Sequence, residues 1–251
     1  MYAEVAPPAA VAHTIACLWM RTSDAGDKPT LVLPDGCFDL IWRPGDEVML
    51  AAPDTVASQV QANAASVWVG LRFRPGVGKA VLGVPMDALL NDRPTVTDVL
   101  AARSHADHEG ASHQLLAQAA QAPTARDAAP LLVRLGALLT GRAEIDRVAA
   151  QAGRLLADPR RTIASVATEL AEPPRSLNRR MTEQVGYGPK MLQRVLRLQR
   201  LLSMSDAGAA RGSRIPLAAL AASAGYADQS HLVRDAVSLT GLTPSALLAA
   251  R

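Results

Sequence analysis

Aromatic side chains make up only 3% of these 251 residues, and beyond position 73 only Tyr187 and Tyr226 remain. The rear of the chain must therefore build its cores from aliphatic side chains. No run of about 18 apolar residues occurs, which excludes a membrane-spanning helix as an expectation. Cysteine is scarce: Cys17 and Cys37 are too few for a disulfide scaffold and lack metal-site spacing, so a reducing cytosol is the expected home. Histidine is scarce too, with His13 alone in the first 100 residues. The amino terminus carries Glu4 and Pro7-Pro8 in place of a basic start and an apolar stretch, which is not the pattern of a signal peptide. A net charge of +3 excludes a global polycation. What is present, 49% hydrophobic and 20% charged residues, excludes a disordered tail protein or a collagen-like chain. The length suits one large domain or two of ordinary size.

The small net charge hides an asymmetry. Residues 1–141 hold 10 basic and 14 acidic side chains (net −4), whereas residues 142–214 hold 14 and 7 (net +7). Segment 215–251 balances to zero, with Arg234 and Arg251 against Asp228 and Asp235. Two domains of different construction are expected. The front reads as β-rich. Short apolar runs at 13–20, 30–33, 37–42, 47–51 and 66–73 are separated by turn signals such as Pro34-Asp35-Gly36 and Pro44-Gly45-Asp46. Residues 77–90 read as helical pieces broken at Gly83 and Pro85. Residues 101–141 read as a helical connector. From about 128 onward every periodic segment favours helix.

The strongest signal is an internal repeat. VATELAEPPRSLNRRMTEQVGYGP (166–189) and LAASAGYADQSHLVRDAVSLTGLTP (220–244) share one skeleton. Ala167, Leu177, Arg179, Gly186 and Pro189 correspond to Ala221, Leu232, Arg234, Gly241 and Pro244, with one extra residue in the second turn. Each copy reads as a short helix, a tight turn and a second helix ended by glycine, the form of a helix-turn-helix. The small alanines suit a close helix crossing, and the leucines point into the core. Arg175, Asn178 and Arg179 share the opposite face in the first copy; Gln229, Ser230, His231 and Arg234 share it in the second. Arginine pairs bidentately with guanine and Asn or Gln with adenine, so these seven are candidate base readers in the major groove of double-stranded DNA. The bland alternative, solvated faces of an ordinary bundle, loses weight because the skeleton occurs twice in the basic half.

Between the copies, residues 190–203 read as one helix with an apolar stripe of Met191, Val195, Leu198 and Leu202. Lys190, Arg194 and Arg197 cluster on its other face and are candidate phosphate contacts. Such a strut would hold two reading heads in successive grooves, about 34 Å apart.

With these residues in view, positions 144–251 resemble the DNA-binding domain of the AraC/XylS transcription regulators, through GYADQSHLVR (225–234), GLTP (241–244) and VGYGPK (185–190). Residues 1–100, with LPDGCFDLIW (33–42) and VGLRFRPG (69–76), resemble the amino-terminal domain of one uncharacterised branch of that family. The resemblance implies an α+β chain: a small cupin-like β-rich domain, then an all-α domain of two helix-turn-helix units joined by a linker helix. It departs from the family in three places. Pro173 replaces the usual capping serine of the first recognition helix. Ala236 and Val237 stand where the family has a large aromatic and a basic residue, which weakens the second unit and makes the first the principal reader. The loop 205–214 is longer than the fold requires.

The rival reading is a cupin-like binding protein or enzyme whose helical domain only meets other proteins. A metal-dependent cupin needs several His and carboxylate ligands on strands, and one histidine does not supply them. His105, His108 and His113 cluster in a polar connector. Cys17 and Cys37 read as a redox pair or, more commonly, as two small buried hydrophobes. Arg72 and Arg74 read as surface ion-pair formers or as binders of an anionic effector. No nucleophile-elbow pattern supports a hydrolase. The sequence is thus expected to encode a cytoplasmic, sequence-specific transcription regulator with no catalytic residue, no metal and no cofactor. Its expected divisions are 1–100 for sensing or dimerisation, 101–141 as connector and 142–251 for DNA. An effector at the front domain is expected but unidentified; RNA polymerase and a second copy of the chain stand open as partners, and a membrane does not.

Overall fold

A computed structural model describes residues 1–24, 28–61, 65–102, 109–213 and 215–250. Among the described residues, the front domain contains seven strands: β1 (Tyr2–Val5), β2 (Ile15–Ser23), β3 (Thr30–Val32), β4 (Phe38–Trp42), β5 (Met49–Ala51), β6 (Ser58–Val60) and β7 (Ser66–Phe73). Five form an antiparallel sheet in the order β1-β2-β7-β4-β5, while β3 and β6 pair as a separate ribbon. The β-rich front and helical rear match the expected fold class. Strands β1 and β6 were not foreseen, because YAEV and SQV carry neither an apolar run nor a buried face.

Period-2 alternation divides the main sheet into two faces. Leu71 and Phe73 of β7 lie with Phe38, Leu40 and Trp42 of β4 in the core on one face, and Phe38 stacks on Phe73 at 4.6 Å. Asp39 and Arg72 sit opposite one another on the other face. A bulge in β2 sets Ile15 opposite Phe73 and Cys17 opposite Arg72. Residues two apart thus reach different faces: Ile15 joins the core, and the strand beyond it sends Trp19 to the Arg72 side.

The stretch expected as a connector is built into this domain. It contains α3 (Glu109–Ala120) and α4 (Ala125–Gly141), which follow α1 (Gly78–Leu82) and α2 (Val96–Ala101). Leu132, Leu135 and Leu139 of α4 join the sheet's core cluster, as do Leu115 and Leu116 of α3. Gly136 is the point of closest approach: a Cβ there would run into Leu71. Trp42 Nε1 donates to the Ala119 carbonyl at 2.8 Å, which satisfies the indole inside an apolar layer. Helix α3 is alanine-rich and only weakly amphipathic, which conceals its burial from periodicity alone.

The rear holds α5 (Arg147–Leu156), α6 (Ile163–Glu169), α7 (Pro174–Val185), α8 (Pro189–Ala210), α9 (Leu217–Ala224), α10 (Gln229–Thr240) and α11 (Pro244–Ala249). Two cores build it. One gathers Ala149, Ala152, Val166, Ala167, Leu177 and Met181, and the other Leu198, Leu220, Ala221, Leu232, Ala236 and Leu239. The linker α8 runs seven residues beyond the expected end at 203, so most of the anticipated long loop is helix. Gly208 permits this, because Ile215 and the Ser213 carbonyl pack at 3.0 Å from where its Cβ would stand. Among the described residues, no helix is long and apolar enough to cross a membrane.

Candidate nucleic-acid interface

The repeat of the sequence is a repeat of geometry. Ala167 and Ala221 are buried at the paired crossings, and Leu177 and Leu232 are fully buried. The Ala167 carbonyl accepts from Glu172 N at 3.0 Å, and the Ala221 carbonyl accepts from Tyr226 N at 3.0 Å. Both bonds close the same left-handed helix ending. In the second copy Gly225 takes the positive φ of 91°; in the first Ala171 takes it, at 52°. That strain was invisible in the sequence, since nothing about an alanine announces a left-handed backbone. Gly186 and Gly241 end the two recognition helices with φ of 96° and 71°, and Pro189 and Pro244 open the next helices.

A left-handed alanine costs about 1–2 kcal/mol, less the extra chain entropy that glycine carries when unfolded. Ala171→Gly is therefore expected to raise stability by about 0.5–1 kcal/mol, measured by urea denaturation of the full chain. An Ala→Gly change inside a helix, such as Ala150→Gly in α5, would lower it.

On α7, Arg175, Asn178 and Arg179 are all exposed on one face, as their spacing requires. Pro173 adopts extended backbone and supplies no side-chain cap, and Pro174 occupies the first helical position. Asn178 leans toward the start of α8: its Oδ1 fills the space a side chain on Gly188 would need. Arg179 Nη1 donates to Glu183 Oε1 at 3.1 Å. Its neighbour Arg180, which lies off the periodic polar face, holds the unit together. Its Nη1 donates to Asp146 Oδ2 at 2.8 Å, while Asp146 Oδ1 caps α5 through Ala149 N.

On α10, Gln229, Ser230 and Arg234 are exposed, and Asp228 caps the helix by accepting from His231 N at 2.6 Å. His231 is turned sideways. Its ring meets Tyr226 edge-on at 5.2 Å, and Nε2 lies 3.5 Å from Asp235 Oδ2. Ala236 is fully buried and Val237 is 44% exposed, so the position that carries a base in the family is here a bare apolar side chain.

The linker's basic face divides. Lys190 is exposed at the start of α8. Arg194, expected at phosphate, instead turns to α10, where its Nε donates to Asp235 Oδ1 at 2.7 Å. The reason is electrostatic: Asp235 is buried and requires a counter-charge. Arg197 is half-buried, with its Nε out of water and unbonded.

The front domain touches both units. Gln199 Nε2 of α8 donates to the Pro34 carbonyl at 2.6 Å, and Ala57 N donates to the Leu239 carbonyl at 2.7 Å. Leu31 and Leu33 pack on the second unit's core. Gly36, at φ 81°, fits against α8 with Leu192 Cδ1 only 2.6 Å from its absent Cβ. Above this junction, between the sheet face and the β3–β6 ribbon, lies a cavity of about 960 Å³ whose walls include Trp19, Ile41, Trp68, Arg72 and Gln199.

Arg72 is not a surface residue. It forks onto Asp39 at 3.1 Å through Nε and Nη2, and Asp35 and Glu4 lie at 3.4 and 3.6 Å. Arg74 donates to the Ala12 carbonyl. Because Asp39 already neutralises the guanidinium, burial dominates Asp35 and pushes its carboxyl above the ordinary range. A carboxyl raised on folding binds its proton more tightly in the native state, so its contribution is favourable at low pH and is lost as pH rises through the titration. Asp35→Asn keeps an acceptor for Cys37 N and removes the charge. It is expected to match the natural protein below the ordinary carboxylate pKa and to exceed it in thermal stability near pH 7. A variant that is less stable at neutral pH would refute this. Burial likewise pushes the Cys17 thiol up to about 11 and Cys37 well above its usual value, so neither is a ready thiolate. Both cysteines are free. Among the described residues no cluster of His, Cys, Asp or Glu is built to hold a metal; His105 and His108 lie outside them.

Two exposed polar helices on one repeated scaffold, joined by a single long helix, define a tandem helix-turn-helix module. Residues 166–250 match the family model described as a helix-turn-helix domain, and residues 3–94 match one described as a domain of unknown function, DUF6597. Residues 166–250 are an AraC-type helix-turn-helix domain, which makes the protein a DNA-binding transcription regulator. No curated protein matches the chain in sequence. Among solved structures it is similar to ToxT from Vibrio cholerae, at 11% identity and a TM-score of 0.47 over 92% of this chain and 97% of that one. ToxT with bound unsaturated fatty acid aligns at 14% identity and a TM-score of 0.44, over 91% and 93% of the two chains.

Proposed function

We propose that this regulator recognises one DNA sequence by placing α7 and α10 in successive major grooves. The duplicated helix-turn-helix skeleton on one strut carries the reading. At about 1.5 Å per residue, the 22 residues of α8 span about 33 Å, close to one helical turn of DNA. Arg175, Asn178 and Arg179 meet base edges in the first groove, and Gln229, Ser230 and Arg234 in the second, with His231 at the rim. Lys190 and Arg197 approach phosphates, whereas Arg194 and Arg180 position the helices. Residues 1–141 act as one regulatory domain and residues 142–251 as the DNA-binding domain. The interdomain cavity takes a small-molecule effector, which shifts the balance between two poses by binding one better than the other. The protein works in the cytoplasm, and no catalytic step is assigned.

Selection of a random duplex library on the full chain, followed by binding at several salt concentrations, tests this. The expected motif has two conserved blocks about one helical turn apart, and log affinity should fall linearly with log salt. A folded protein that retains no duplex at low salt would end the reading.

A further inference from the structure

One front-domain side chain reaches the reading face of α7. Lys79 of α1 donates through Nζ to Glu183 Oε2 at 2.7 Å. The other carboxylate oxygen, Oε1, accepts at 3.1 Å from Arg179, four residues earlier on the same helix. A single carboxylate thus joins a cation of the regulatory domain to a cation of the recognition helix. The Lys79 ammonium, and after it Arg179, hold Glu183 below the ordinary carboxylate range.

The segment that carries Lys79 is fixed against the first helix-turn-helix unit. A Cβ on Gly76 would stand 2.6 Å from the Ala149 carbonyl oxygen of α5, and one on Gly78 would stand 2.8 Å from the Gln184 carbonyl oxygen of α7. Ala80 N donates to Gln184 Oε1 at 3.2 Å. Upstream, the same continuous stretch of chain is β7, whose Arg72 lines the cavity.

We propose that Lys79 is a positioning residue for DNA recognition: it neutralises Glu183, so that Arg179 can leave its own helix for a base edge. The proposal rests on Arg179 being a base reader. Without Lys79, Glu183 would hold Arg179 to its own helix, and once Arg179 left for a base edge it would face the phosphates as an unpaired negative charge. A pose of the front domain that withdraws α1 by a few ångströms turns Glu183 into a brake on α7. Regulation then needs no displacement of the recognition helix itself.

The test is a double-mutant cycle on the full chain. Wild type, Lys79→Met, Glu183→Gln and the double variant are titrated by fluorescence anisotropy against the duplex selected from random DNA and against its scrambled sequence. Lys79→Met should weaken binding to the selected duplex about three- to five-fold, the upper part of what an exposed ion pair supplies. Glu183→Gln should bind at least as tightly as wild type while discriminating less between the two duplexes. In the Glu183→Gln background, Lys79→Met should change affinity less than about two-fold. Equal losses in both backgrounds would mean that Lys79 touches phosphate itself, and would overturn the proposal. So would no loss in either. Should Lys79→Met fail to fold, Lys79→Gln takes its place in the cycle. Arg179→Ala on the same two duplexes separates the underlying reading: equal losses on both would remove Arg179 as a base reader, while the coupling between positions 79 and 183 is measured regardless.

Discussion

Arg194→Met is expected to destabilise the protein by about 2–3 kcal/mol and to leave the salt dependence of DNA binding unchanged. Removing one partner of a buried ion pair costs about 3–5 kcal/mol, chiefly because the other charge stays buried and uncompensated. Arg194 is 28% exposed, so solvent screening lowers that figure, whereas Asp235 at 7% can recover little water. Asp235 Oδ2 already lacks a hydrogen bond, and His231 Nε2 lies 3.5 Å from it. Adding Asp235→Leu to Arg194→Met should restore most of the loss, since an apolar replacement of a buried pair is often neutral. Urea denaturation of the two variants measures the stability terms, and binding at several salt concentrations measures the slope. A slope flattened by about one unit with stability unchanged would return Arg194 to phosphate contact.

Much of the rear domain was legible because its geometry restricts residue identity. A close crossing needs a small residue, met at Ala167 and Ala221. A left-handed helix end favours glycine, met at Gly186 and Gly241, and a first helical position accepts proline, met at Pro189 and Pro244. Ala171 escaped for the converse reason, holding the conformation of Gly225 with a residue that does not advertise it. Among the candidate site residues, Arg175, Asn178, Arg179, Gln229, Ser230 and Arg234 are exposed on the faces that periodicity assigns them. Periodicity did not show where Arg194 and His231 turn. A long or planar side chain at the edge of a face can swing to a neighbouring helix, and the partner that draws Arg194 lies 41 positions further along. Arg180, Lys79 and Glu183 were missed because their roles depend on contacts between elements far apart in sequence. The packing of α3 and α4 on the sheet was missed because periodicity marks the apolar face of a helix without naming the element that face covers.

The same contacts explain how a front domain can govern both reading heads. The ribbon β3–β6 and the loop from Pro34 to Gly36 hold α8 and the second unit, and α1 holds the first. The cavity lies between the sheet and that ribbon, with Gln199 of α8 in its wall. A molecule wedged there would press on the ribbon and on α8 together. The two heads would then change their relative setting, which fixes whether both fit grooves one helical turn apart. Energetically, such a molecule would act only through its difference in affinity for the two settings.

Arg179→Ala is expected to cost about 1–3 kcal/mol on the selected duplex, roughly 5- to 150-fold in affinity, and far less on scrambled DNA. Its side chain is 63% exposed and among the described residues is held only by Glu183, so it can leave at small cost for a bidentate contact with guanine. Loss of that contact should relax preference at one base position rather than across the site. Arg234→Ala should cost less than Arg179→Ala. Its helix presents the apolar Val237 on the exposed side and gives Ala236 to the core, so α10 lacks both a large packing anchor and a phosphate grip one turn beyond Arg234. His231, which would reinforce it, is occupied with Tyr226 and Asp235. On the proposed reading the first head would supply most of the sequence preference, and the second would extend the footprint. Competition binding of each variant with the selected duplex, with duplexes mutated in one block, and with scrambled DNA decides the matter. A larger loss from Arg234→Ala than from Arg179→Ala would reverse the division of labour.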